Sequence, residues 1–358
     1  MTEPDAPEES AAAPSLTLPA PTVLDPATAP GLRWGVISPG HIAGQFTATA
    51  HRATASRVVS VVSRSLERAE AFAAEHGIER AVDSVEQMLE AGGLDAVYVA
   101  SPHAQHHALT RPVLEAGIPV LVEKAFTLNT AEARDLLDLA RAQGVFAMEA
   151  MWARFLPQYD VLRQVLASGM LGEIVEVAAD HGQTFPADPN HRMFAPELGG
   201  GALLDLGVYP ISFAQMVLGD LRDLAVRGTL TETGVDAYFG LLAAGADGGS
   251  ARLSSTLLSR TPTQAVVNGT AGSAHLAGPF FAPSTLTITL HDGRRAVFEH
   301  PADRGDGMAY EIAESARRIT AGELESPLMS WQDTLSVMGT MDAVRAELGV
   351  VYPGEESA

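Results

Sequence analysis

The sequence predicts a two-unit α/β fold, a doubly wound parallel sheet followed by a second α/β unit built on a largely antiparallel sheet. Three observations carry that prediction. Short β-branched runs alternate with amphipathic segments from Leu32 to Trp152, the rhythm of strand–helix–strand units. After residue 153 the rhythm gives way to polar alternation and turns such as ADGG, GTAG and HDGRR, the texture of antiparallel strands. Finally, 358 residues exceed what one hydrophobic core usually serves.

LRWGVIS (32–38) reads as the first strand, followed by a turn and a helix around Ile42 to Ala50. RVVSVVSRS (57–65) is the second strand and RAVD (80–83) the third, with Ser84 and Gln87 set as the opening of a helix. LDAVYVAS (94–101) and IPVLVEKAF (118–126) are too short for helices and too apolar for surface strands, as buried parallel strands are. Asn129 and Glu132 cap the helix TAEARDLLDLARAQG, and VFAMEAMW (145–152) is the sixth strand. Beyond it come a helix near PQYDVLRQVLASG, the strand EIVEVAADHGQ, a Gly-rich segment and a helical region through SFAQMVLG. Several strands between Leu221 and His300 and two closing helices complete the chain. The expected division is a disordered tail over 1–30, a first domain over 31–153 and a second over 154–358. The tail carries five acids, no Lys or Arg, and repeated Pro and Ala, a composition with neither the basic start nor the apolar core of a secretory signal.

Composition narrows the function. A formal charge of -21 without a basic run argues against nucleic acid and anionic membrane surfaces. No stretch has the roughly 18 uninterrupted apolar residues of a membrane helix. Zero cysteines exclude disulfides, thiolate nucleophiles and cysteine metal sites, and a cytoplasmic location is expected.

Two strand ends suggest a dinucleotide. In WGVISPGHIA a strand enters a turn and a helix start, where backbone N–H groups receive a pyrophosphate. Gly40 and Ala43 match the second and third elements of G-x-G-x-x-G/A, Ser38 stands at the first, and His41 and Ile42 open the helix. A plain tight turn fits the same residues. The second strand ends in Ser63-Arg64-Ser65, where an NAD site usually has an acid for the ribose 2′-hydroxyl. A guanidinium flanked by hydroxyls suits a 2′-phosphate instead, which favours NADP(H) over NAD(H).

Of 23 Lys+Arg residues one is lysine, Lys124, leaving 22 arginines. It follows the fifth strand, so with Ser101, Pro102, His103 and Glu123 it belongs on the carboxyl edge of the sheet, where ligands bind. An ammonium there can orient a substrate hydroxyl or favour ionisation of a neighbouring acid. In GGGALLDLGVYPI, Asp205 and Tyr209 are four apart and share one face of a helix. Beside a lysine, a tyrosine is biased toward its phenolate and becomes a proton donor and acceptor, with the carboxylate holding the lysine or the substrate. A core tyrosine and a capping aspartate fit the same residues. His103, His106 and His107 lack an acid or cysteine in ligand register, so no metal is expected.

Taken together, WGVISPGHIA, VASPHAQHH, the EKA triplet, MEAMWARFLP and LGGGALLDLGVYP resemble the glucose-fructose oxidoreductase, inositol dehydrogenase and MocA-like family from Leu32 to Pro353. They are most similar to its branch of dimeric dihydrodiol dehydrogenases and NADP-linked D-xylose dehydrogenases. The resemblance implies a Rossmann domain plus a second α/β domain whose open-faced, mainly antiparallel sheet pairs subunits into a homodimer or homotetramer. It implies Lys124, Asp205 and Tyr209 as the catalytic set, Tyr209 being the acid/base, and places Arg154, Phe155, His181 and Arg192 toward the substrate. The substrate implied is a sugar, cyclic polyol or dihydrodiol. The chain departs from the family at Ala125, where a proline commonly follows a cis bond, and at Ser38. Alternatives within reach are an NAD-dependent glycoside hydrolase of the same fold and a non-catalytic dinucleotide sensor.

Overall fold

The structure is a computed structural model that describes residues 16–186, 188, 191–246, 248–300 and 306–355. Its first sheet has six strands, β1 (Arg33–Ile37), β2 (Arg57–Val62), β3 (Arg80–Val82), β4 (Ala96–Val99), β5 (Val120–Glu123) and β6 (Ala147–Ala150). Their order is β3-β2-β1-β4-β5-β6, all parallel. The order reverses between β1 and β4, so both strand ends open onto the same crevice. Helices α1 (His41–Ala53), α2 (Leu66–His76), α3 (Val85–Ala91), α4 (His106–Glu115) and α5 (Thr130–Gln143) make the crossovers. Central strands β4 and β5 are buried along their whole length, which is why they read as unbroken apolar runs. Side chains of Ser65, Ser84 and Asn129 accept from the first-turn N–H groups of α2, α3 and α5.

The second unit begins with α6 (Pro157–Ala167) and β7 (Ile174–Gly182), then α7 (Val208–Leu218). Strands β8 (Leu221–Leu230), β9 (Asp236–Gly245), β10 (Ser250–Thr256), β11 (Ala265–Gly269), β12 (Gly272–Leu276), β13 (Leu286–Leu290) and β14 (Arg295–Phe298) follow. The eight-stranded order is β14-β13-β12-β11-β7-β10-β9-β8. Only the β7–β10 pairing is parallel. One face packs on α7, and the other leaves Tyr238 and Leu242 39 % and 56 % exposed, so the sheet is open-faced. The apolar run Pro196–Leu218 is a core segment, with 89 % of its most hydrophobic window buried.

Helices α8 (Met308–Thr320) and α9 (Trp331–Leu348) return to the first unit, α8 against α1 and α9 against α5. The Trp331 indole donates to Ala147 O at 2.8 Å, and Ala147 N donates to Leu324 O. The two sheets part in the chain between β6 and β7, while one continuous core spans both.

Residues 1–15 of the expected tail lie outside the described residues. Residues 16–30 correct the expectation of disorder. Leu16 and Leu18 pack against the core, Thr22 N donates to Asp160 Oδ2 at 2.6 Å, and Arg317 donates to Asp25 O at 2.8 Å. Two leucines and an anchored threonine supply contacts that low overall hydrophobicity concealed.

Candidate active site

The turn after β1 is built for a close approach. Ser38 holds φ 75° and donates its N–H to Val62 O at 2.9 Å. This left-handed backbone is the one the missing glycine would have taken freely, and a non-glycine residue bears it at a cost of order 1–3 kcal/mol. A Cβ at Gly40 meets nothing within 4 Å, and α1 starts with neither a side-chain cap nor an acid in its first turn. His41 is exposed and Ile42 half-buried there. Uncapped N–H groups beneath open space fit a dinucleotide pyrophosphate.

At the end of β2, Ser63 Oγ accepts from Ser65 N and Ser65 Oγ accepts from Arg68 N, both at 3.3 Å. Each hydroxyl keeps its hydrogen for an acceptor. Arg64 between them is exposed, with no hydrogen bond or ion pair recorded among the described residues.

Lys124 lies at the carboxyl end of β5, its peptide bond to Ala125 cis. Its Nζ donates to Asp205 O at 2.7 Å and Oδ1 at 3.2 Å, and sits 5.1 Å from the centre of the Tyr209 ring. Asp205 belongs to a π-helical turn, Leu203–Gly207, that runs into α7, and Tyr209 opens that helix. Arg192 also grips Asp205, Nη1 donating to Oδ1 at 3.3 Å and Nη2 to Oδ2 at 3.2 Å. Burial opposes charge on Asp205, but Lys124 and Arg192 outweigh it and hold the carboxyl well below the usual range. The Tyr209 hydroxyl accepts from Trp152 Nε1 at 3.1 Å. Here the expectation of a favoured phenolate is corrected. Burial first, and then the negative charge of Glu123, push Tyr209 well above its ordinary value, while Lys124 donates to Asp205. Tyr209 therefore stands as a neutral proton donor.

The pair of sheets that positions this cluster is shared with known proteins. The description "Oxidoreductase family, NAD-binding Rossmann fold" fits residues 32–151, and "GFO/IDH/MocA C-terminal domain" fits residues 159–275. The chain belongs to the GFO/IDH/MocA oxidoreductase family. Similar to it along nearly their whole length are the trans-1,2-dihydrobenzene-1,2-diol dehydrogenases. That of Homo sapiens is 35 % identical over 339 residues, 91 % of this chain and 99 % of that protein. That of Xenopus tropicalis is 33 % identical over 332 residues, 90 % and 99 %. A 3-ketoreductase from Actinomadura kijaniata, solved with NADP and TDP-benzene, superposes with a TM-score of 0.76 at 29 % identity, covering 88 % of this chain and 97 % of that one. An aldose-aldose oxidoreductase from Caulobacter crescentus shares the fold, with a TM-score of 0.79 at 21 % identity over 88 % and 96 %. This chain is thus an NAD(P)-dependent oxidoreductase.

Within this GFO/IDH/MocA oxidoreductase, several residues expected at the ligands serve the scaffold. His103 is buried, its Nδ1 2.9 Å from Gly199 O and its Nε2 3.2 Å from Lys124 O, and burial pulls it down to about 3. Both ring nitrogens face backbone carbonyls, and a neutral ring, with one N–H, donates to only one of them. His106 joins Ser101 O to Ala125 O, while His107 pairs with Asp135. Ser101 is buried, and Pro102 beside it half-buried. Arg154 is corrected outright. It is 3 % exposed and donates to Ser212 Oγ, Ser212 O and Gln215, with Asp333 3.5 Å away. Phe155 beside it is a core side chain. A 3-10 turn over Trp152–Phe155 sends Trp152 toward Tyr209 and these two inward. His181 does join the cluster, 5.6 Å from the Tyr209 ring and 4.6 Å from Phe281. Burial, then Lys124, lowers it to about 4, so its ring is uncharged, with Nδ1 3.2 Å from Leu206 O and Nε2 3.0 Å from Gln183 Nε2.

Sequence reasoning missed Trp152, Tyr98, Phe281 and Asp236. A tyrosine inside the apolar run AVYV was a usable signal for Tyr98, since a buried hydroxyl needs a partner, and it donates to Glu123. Asp236 had no local signal. It accepts from Leu203 N at 2.7 Å, at the start of the turn that bears Asp205. Gly201, at φ 115°, is required here because a Cβ would come 2.2 Å from Asp236 Oδ1.

Burial pushes Asp236 and Glu149 each up to about 7. Unfolded carboxyls titrate near 4, so between about pH 4 and pH 7 the folded protein binds more protons and stability falls as pH rises. Asp236→Asn keeps an oxygen for Leu203 and removes the titration. Denaturant midpoints across that window are expected to decline less in the variant, and an unchanged decline contradicts the assignment.

Proposed function

We propose that this protein is an NADP-linked oxidoreductase that moves hydride between the nicotinamide and a hydroxyl or carbonyl carbon of a sugar, cyclic polyol or dihydrodiol. The observation that carries the proposal is the cluster of Lys124, Asp205 and a neutral Tyr209 on the strand edge that also bears the open, uncapped start of α1. The bound nicotinamide supplies or accepts the hydride. Tyr209, buried and neutral, donates a proton to the substrate oxygen in the reducing direction and removes it in the other. Lys124, fixed by Asp205, offers its remaining N–H to that oxygen. Arg192 and His181 edge the same space, and Arg192, paired with Asp205 and with its side chain 54 % exposed, has N–H groups left for a substrate hydroxyl.

The preference for NADP rests on Arg64 between two hydroxyls. Arg64→Asp is expected to weaken NADPH by at least about tenfold, roughly the 1.4 kcal/mol scale of one charge-assisted contact, and to favour NADH. Nicotinamide fluorescence titration measures both. Equal NADPH affinity in the two proteins removes Arg64 from the site, and no binding of either cofactor ends the oxidoreductase reading. The dihydrodiol and 3-keto sugar chemistry in the names of its relatives supports the substrate class. The exposed face of the eight-stranded sheet, with Tyr238, Leu242 and a shallow cavity of about 770 Å³, supports pairing into a homodimer or homotetramer.

A further inference from the structure

We propose that Tyr352 is a positioning residue of this site. From the segment after α9 it holds the glycine loop between Arg192 and Asp205, and so keeps Asp205 aligned with Lys124. The inference rests on the oxidoreductase reading above and adds a residue that touches neither ligand.

The chain after α9 is built to stop and turn. Gly349 N and Val350 N donate to Ala346 O and Arg345 O at 3.3 and 3.0 Å, which closes the helix, and Val350 is buried. Pro353 favours extended backbone at Tyr352 before it, and Tyr352 is 1 % exposed. Arg345 lies over its ring, 4.9 Å from the centre. Glu355 fixes the end of the segment. It accepts from Arg345 Nη1 at 2.8 Å and Nη2 at 3.0 Å, and from Tyr352 N at 3.0 Å. It also accepts at 2.7 Å from Nδ2 of Asn129, the cap of the helix that follows Lys124.

The Tyr352 hydroxyl donates to Gly200 O at 2.6 Å in a buried contact. In the chain Gly200 lies between the two partners of the site's ion pair. On one side, Gly200 N and Gly201 N donate to Ala195 O and Met193 O at 3.0 and 2.9 Å, which ties the loop to the turn Arg192–Phe194. On the other, Leu203 N donates to Asp236 Oδ2 at 2.7 Å, where the turn bearing Asp205 begins. The loop is packed without slack, since even a Cβ at Gly200 would come 2.8 Å from Arg192 O. Backbone packed this closely transmits a displacement instead of absorbing it. One short segment thus grips two stretches, Asn129 beyond Lys124 and Gly200 before Asp205.

The consequence for the site is direct. Lys124 Nζ donates to the backbone oxygen of Asp205 as well as to its carboxylate, so a shift of that backbone moves both acceptors of the ammonium. A misplacement of about 1 Å in an orienting group can cost about 10²-fold in rate.

The test uses the full-length protein and Tyr352→Phe, which keeps the ring beneath Arg345 and removes only the donor. Trp331→Phe is the control, because it takes one buried side-chain donor from another backbone carbonyl, Ala147 O at 2.8 Å, away from Asp205. Amide exchange of the ligand-free proteins comes first. Residues 199–207 are expected to exchange at least about fivefold faster in Tyr352→Phe and at the wild-type rate in Trp331→Phe. A wild-type rate in Tyr352→Phe, or equal acceleration in both variants, overturns the proposal whatever the activity. Steady-state kinetics come second. Tyr352→Phe is expected to lose about tenfold or more in kcat with NADPH affinity within about twofold of wild type, while Trp331→Phe keeps kcat within about twofold. An equal fall of kcat in both variants, or none in Tyr352→Phe, overturns it. If Tyr352→Phe does not fold, Glu355→Ala loosens the same segment from its end, and wild-type exchange and kcat in that variant overturn the proposal. A wild type that turns over no sugar or diol defeats the proposed function but leaves the exchange result standing, so the two failures are distinguishable.

Discussion

Tyr209→Phe is expected to lower kcat by about 10² to 10⁴, the range a positioned proton donor contributes. The phenyl ring keeps the stack on Phe281, whose centre lies 4.3 Å away, and the contact beneath Lys124. What disappears is the hydroxyl, leaving the Trp152 indole N–H without its acceptor at a cost of about 1–3 kcal/mol. NADPH affinity is expected to stay within about twofold, since nothing at the β1 and β2 ends moves. Loss of turnover with retained cofactor binding and a melting temperature lowered by a few degrees is the expected signature. A variant that keeps more than a tenth of wild-type kcat assigns the proton to another group.

Lys124→Met is the second large effect. Methionine keeps much of the stem and deletes the ammonium, so Asp205 loses its 2.7 and 3.2 Å contacts and keeps only the half-exposed Arg192. Removing a fixed donor aimed at a reacting oxygen costs about 10² to 10³ in kcat. A stability effect comes with it. Asp205, held low in the folded protein, contributes stability that is fully present above its unfolded value near 4 and is lost as pH falls toward the folded one. Without Lys124 the folded value climbs, the contribution shrinks, and acid unfolding begins at a higher pH. Lys124→Arg restores charge next to Asp205 and should recover acid stability, while a planar fork in a slot where the lysine side chain is 15 % exposed does not recover turnover. Full activity in the arginine variant shows that charge alone, and not the placement of one N–H, is what the site uses.

The expected result for Tyr209 also shows how the sequence misled. Lysine and tyrosine in one pocket suggested a lowered phenol. In the structure burial sets the direction, and the ammonium faces the carboxylate instead of the hydroxyl. No spacing encodes which of two neighbours a flexible side chain chooses. Arg154 makes the same point. It stood in a segment directed at the pocket, but gives its donors to Ser212 and Gln215 of α7. His103 was placed on the right strand end, but its depth was not legible there, for its buried nitrogens face carbonyls of Gly199 and Lys124.

What the sequence by itself determined is what repeats locally. Runs such as AVYV and VLVE, the second followed by a capped amphipathic helix, fix a buried parallel sheet, because side-chain period and capping act within a few residues. The same locality set Lys124 at a strand end and Ser38-Pro39-Gly40 at a helix start. Only the tertiary structure decided the depth and company of each charge. Asp236 beneath the turn of Asp205 and Trp152 on Tyr209 are joined by elements far apart in the chain. Burial and Coulomb terms depend on distance in space, and the return of α8 and α9 across the first sheet sets those distances.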